Sequence, residues 1–163
     1  MTASGVIVSL PVWARSWSIS SLGSYPPLLQ DQRSTLAGVV DTIIPTGNGI
    51  GALSVGVDKF VAKVIDKCYE PAVASNVSKQ LESLNASSLS AHSKPFADCD
   101  QSQRETILLK YANSVNKDEK DFFNLMKAET IRGFNTSKEV MTKYLGYKIA
   151  PGHYYGCVDV KAS

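Results

Sequence analysis

Few residues in this 163-residue chain can do chemistry, and their spacing limits what that chemistry could be. The three cysteines, Cys68, Cys99 and Cys157, stand far apart, and the two histidines are His92 and His153. Zinc ligands come in close pairs, and only His153 with Cys157 approaches that pattern, as a single half-site. A nucleophile needs a base beside it, most often histidine. His92 falls in a polar stretch and His153 near the C-terminal end, and no Ser or Cys stands in a nucleophile motif. Asp118, Glu119 and Asp121 crowd one helix start and invite a cation, but complementing the positive end of the helix dipole accounts for them. The glycine-rich run Thr46–Ala52 lacks the preceding strand and the Gly-Lys-Ser/Thr ending of a phosphate loop, and reads as a connection between helices. Neither a dinucleotide fingerprint nor a haem-attaching Cys-x-x-Cys-His occurs. The chain is expected to carry no catalytic residue, no metal and no cofactor of its own, with a small enzyme built on His153 and Cys157 as the catalytic alternative.

Composition agrees with a scaffold. Apolar residues make up 44% and charged residues 20%, ordinary values for one globular domain able to bury a single core. The net charge of +2 comes from interspersed charges without a Lys/Arg cluster, so no nucleic-acid surface is expected.

The elements that must position these residues read as helices throughout. Leu36, Val39, Val40, Ile43 and Ile44 make one stripe between Asp31 and Ile44, stopped by Pro45. Val57, Phe60, Val61, Val64, Ile65 and Cys68 make a second, over Val57–Tyr69, which turns Cys68 inward or to the edge of the core. Pro71 suits the first position of a third helix carrying Val73, Val77, Leu81 and Leu84. Asn85–Lys94 is small and polar, a loop or a weak helix. Asp100 and Gln103 form a capping box for a fourth helix facing the core with Ile107, Leu108 and Tyr111. A fifth covers Lys117–Ile131, ended by Gly133 as a left-handed cap. Ser137 caps a sixth, with Val140, Met141, Tyr144 and Leu145 inward. No period-2 stretch longer than about four residues appears. The expected fold is all-α: a single compact bundle of about six helices in a domain over residues 30–163, preceded by an irregular arm and ending in a Pro/Gly/Tyr-rich tail.

Residues 1–29 form that arm and its linker. Gly5–Leu10 followed by Val12-Trp13-Ala14 looks like the back half of a secretory signal, without the charged start. The apolar run is too short to span a bilayer, which takes about 20 residues. The segment is therefore an export-signal remnant or an arm packed on a partner, with Trp13 and Trp17 as core lids or interface anchors. Tyr147, Tyr154 and Tyr155 along the C-terminal tail suit an interface or a closure of the chain's own core.

The last third carries the most distinctive pattern. Phe122-Phe123 opens a helix, Lys127 follows, and Gly133-Phe134-Asn135-Thr136-Ser137 makes a turn. Leu145-Gly146-Tyr147 then precedes Pro151-Gly152-His153-Tyr154-Tyr155-Gly156-Cys157. With Asp41-Thr42-Ile43-Ile44-Pro45, this order resembles the gluconate 2-dehydrogenase subunit 3 family, over Leu36 to Val158. Where the family continues with Pro-Gly-Ala, this chain has Ile50-Gly51-Ala52.

The resemblance implies a small accessory subunit of a bacterial periplasmic flavin dehydrogenase. It implies a large partner of the glucose-methanol-choline oxidoreductase type that holds FAD and oxidises a sugar hydroxyl. It also implies a cytochrome c subunit or acceptor carrying haem c, contact with a membrane only through partners, and a role in stabilising and co-exporting the large subunit. Pro11–Ala14 and Cys68–Pro71 look like the branch near glycoside 3-dehydrogenases. The twin-arginine signal of many members has no counterpart, since no Arg-Arg pair occurs. The family transfers no catalytic residue. By position, Lys127, Phe134, Thr136, Tyr147, Tyr154 and Tyr155 are the implied partner contacts, with Trp13 and Trp17 on the arm. The competing expectation is a stand-alone exported helical binding protein. In an exported protein thiols tend to pair. Cys68, following a helix end, and Cys99, preceding a helix start, are then the expected bridge, closing a loop of about 30 residues worth ~3 kcal/mol. Cys157 remains as a free or intersubunit thiol. The alternative is three small buried apolar residues.

Overall fold

The computed structural model describes residues 28–47, 49–148, 150 and 152. Among them the regular structure is helical, with no strand: α1 Gln30–Ile43, α2 Val57–Cys68, α3 Pro71–His92, α4 Gln101–Ala112, α5 Lys117–Asn135 and α6 Lys138–Lys143. Single 3-10 turns at Leu53–Val55 and Phe96–Asp98 complete the order. The all-α bundle expected from the stripes is the fold observed. The N-terminal arm and most of the C-terminal tail lie outside the described residues.

The stripe of α1 runs down the middle. Leu36, Val39 and Val40 are at most 1% exposed, and α1 touches α2, α3, α4, α5 and the Phe96 turn. Val57, Val61 and Ile65 of α2 reach it from one side, and Val77, Leu81 and Leu84 of α3 from another. Ile107, Leu108 and Tyr111 of α4 and Phe122 and Met126 of α5 close the core. Tyr111 and Phe122 meet edge to face with centroids 6.0 Å apart, a favoured aromatic geometry. Two helix starts behave as read: Gln103 Oε1 accepts the Asp100 N–H at 3.1 Å, and Ser137 Oγ accepts from Val140 at 3.4 Å. A third cap is supplied by Asn116, whose Oδ1 accepts from Asp118 at 3.0 Å.

Three expectations are corrected, and one open alternative is decided. Of loop or weak helix, residues 85–92 are helix, the last turns of the 22-residue α3. Their polar side chains are used by the tertiary fold: Asn85 Oδ1 accepts the Phe96 N–H at 3.0 Å, and Ser88 Oγ donates to the Lys94 carbonyl at 3.0 Å. The inward face of α3 carries Ala74, with Val73 only half-buried. Of the residues expected inward on α6, Val140 is buried, while Tyr144 and Leu145 are exposed, because six residues offer only one side to α5. Gly133 does not end α5; the helix continues to Asn135.

Gly133 serves close packing instead. A Cβ there would stand 2.6 Å from Phe60 Cδ1 and 3.1 Å from Val57 Cγ1, so the missing side chain lets α5 approach α2. The Phe60 ring is further engaged by the Arg132 guanidinium, 5.5 Å from its centroid. Helix propensity alone would make Gly133→Ala stabilising by about 1 kcal/mol. The overlap with Phe60 reverses the sign, since overpacking costs about 1–3 kcal/mol. Denaturant titration is therefore expected to show Gly133→Ala less stable than wild type, and the same change neutral or stabilising in a Phe60→Ala background. A single variant more stable than wild type would show that the α2–α5 approach does not depend on this glycine.

Candidate functional site

A helix turns about 100° per residue, so on a helix covered from one side only, one of two adjacent apolar residues can be left at the rim of the core. This chain has such doublets where helices meet. Leu108 is buried and Leu109 is 57% exposed; Phe122 is buried and Phe123 half-buried; Ile43 is half-buried at the end of α1. The outward members Ile43, Leu109 and Phe123 come together, with Leu108 as floor, in an open groove of about 290 Å³ between the end of α1 and the flanks of α4 and α5. Thr42, Glu105 and Lys127 complete its lining.

The groove is framed by a polar clamp. Arg104 of α4 meets the Asp41 carboxylate of α1 at 2.8 Å, with both side chains largely buried. Gln101 Nε2 donates to the Thr42 carbonyl at 3.1 Å and to Glu105 Oε1 at 2.9 Å. Thr42 turns its hydroxyl back onto the Gly38 carbonyl at 2.6 Å. Lys127 takes part in none of the ion pairs found among the described residues.

On another face, α5 is held to the α2–α3 joint through Glu129, which is 5% exposed. Tyr69 donates its hydroxyl to Glu129 Oε1 at 2.8 Å. The Arg132 guanidinium lies 2.6 Å from Oε2, an ion contact whose geometry falls short of a hydrogen bond.

The residues singled out in the sequence are dispersed. Lys127 lines the groove. Phe134, two turns further along α5, packs half-buried against the core. Thr136 sits at the end of α5, its hydroxyl donating to the Arg132 carbonyl at 2.8 Å. Tyr147 is exposed beyond α6, and its N–H donates to the Met141 carbonyl at 2.8 Å. Trp13, Trp17, His153, Tyr154, Tyr155 and Cys157 lie outside the described residues. The expected Cys68–Cys99 bridge is not formed. Cys99 is buried with Sγ 2.9 Å from Ser88 Oγ, and Cys68 is exposed at the end of α2 rather than turned to the core. Ile43, Leu109 and Phe123 were not among the site candidates in the sequence; for Leu109 and Phe123 the signal was the second apolar residue of a doublet. Among the described residues no group of three or more His, Cys, Asp or Glu is placed to hold a metal ion. No helix there is long and apolar enough to cross a membrane.

The sequence model of gluconate 2-dehydrogenase subunit 3 matches residues 30–152. The chain belongs to the gluconate 2-dehydrogenase subunit 3 family. The match takes in every described helix from α1 to α6. No curated protein and no solved structure gives a significant match. The subunit 3 family is that of an accessory subunit of a dehydrogenase complex. In this subunit 3 chain the stretches Asp41–Pro45 and Phe122–Lys127, which carry the resemblance, meet at the groove through Thr42, Ile43, Phe123 and Lys127.

The Tyr69 joint makes a titration prediction. Burial pushes the Tyr69 phenol above its ordinary value of 10.0, helped by the hydrogen bond to Glu129 and by that carboxylate's charge. Burial raises Tyr111 as well. For an acid raised in the folded state, the stabilising contribution is complete below the unfolded pKa and lost as pH climbs through the folded one. Stability measured by denaturant is thus expected to fall as pH rises past about 10. Tyr69→Phe should make that fall shallower, while lowering stability at neutral pH by about 1–2 kcal/mol through the donor lost to Glu129. An unchanged alkaline slope in Tyr69→Phe would remove Tyr69 from the account.

Proposed function

We propose that this chain is the cofactor-free small subunit of an FAD-dependent sugar dehydrogenase of the glucose-methanol-choline type. The complex is of the gluconate 2-dehydrogenase or glycoside 3-dehydrogenase kind and works in the bacterial periplasm, passing electrons to a cytochrome c. The subunit stabilises the large one and helps its export. FAD belongs to the large subunit, where it would take up the hydride from the carbon bearing the sugar hydroxyl as that hydroxyl gives up its proton, and haem c to the cytochrome. This chain's residues hold neither.

The observation that carries the reading is membership of the subunit 3 family across the whole described bundle. The physical support is the apolar, half-open face formed by Ile43, Leu109 and Phe123. Apolar side chains gathered in one depression are a costly surface for a lone subunit and a favourable one when covered. A subunit that binds only the folded form of a second stabilises it by mass action, which is how a chain without catalytic groups supports an enzyme.

The test is affinity purification of the tagged chain from its native host, with the mass and absorbance spectrum of what co-elutes. Expected is a heavier partner with a flavin spectrum, recovered from the periplasmic fraction. A lone, colourless, folded monomer would overturn the assignment in favour of a stand-alone binding protein.

A further inference from the structure

We draw no further inference here: the strongest candidate, the open apolar groove between the end of α1 and the flanks of α4 and α5, carries both the Lys127 ammonium and the Glu105 carboxylate on its lining, and nothing in the structure shows what covers it.

Discussion

A helix surrounded by other helices must find partners for every polar group it carries, and α1 is in that position. Water reaches only a narrow strip of it, yet Gln32, Thr35 and Thr42 are buried among its leucine and valines. The two threonines solve the problem locally, donating to carbonyls one turn back, Asp31 and Gly38. Gln32 and Asp41 cannot. Gln32 donates to Ser78 Oγ at 2.6 Å and Glu82 Oε1 at 2.8 Å on α3, while Asp41 pairs with Arg104 on α4. A buried polar group without a partner costs about 1–3 kcal/mol, so these contacts pin α1 near both ends. Two pins on different neighbours fix its rotation and its axial position together. Hydrophobic burial supplies the driving force, but it is non-directional; the polar pins choose the register.

That division explains what the sequence made legible. The core stripes of α1, α2 and α4 were readable because apolar spacing alone decides them: Val39, Val61 and Ile107 lie where a 3.6-residue period puts them. Asn85–His92 was readable only as a loop or a weak helix, since its composition is polar and its side chains are tied to Phe96 and Lys94, residues beyond the segment itself. Gly133 misled for a related reason. Glycine near a helix end usually marks a stop, but here the selecting force is the Phe60 ring on another helix. The cysteines followed the same logic: two positions at helix ends in the sequence carried no information about which way each thiol points, and Ser88 claims Cys99.

The site was half legible. Lys127 could be picked from the pattern around it, and Ile43 and Phe123 stood within the stretches that carry the family resemblance. Nothing local could say that the end of α1 lies against the middle of α5, because that contact is settled by the pins on α1 and by the core. Leu109 lies off the buried face of α4, so the core period that marks Ile107, Leu108 and Tyr111 passes over it. Phe134, Thr136 and Tyr147, grouped together along the chain, are separated in space because the helix end and the short α6 carry them away from Lys127.

The groove has no sequence of its own. Its lining comes from residues 42–43, 105–109 and 123–127, and in the unfolded chain these are three unrelated apolar spots. Anything that docks there recognises the native topology rather than a peptide, and so counts only folded molecules. At a concentration a hundredfold above its Kd, such a ligand adds about 2.7 kcal/mol to folding stability without touching a core residue. Recognition and proofreading of the fold are then one equilibrium.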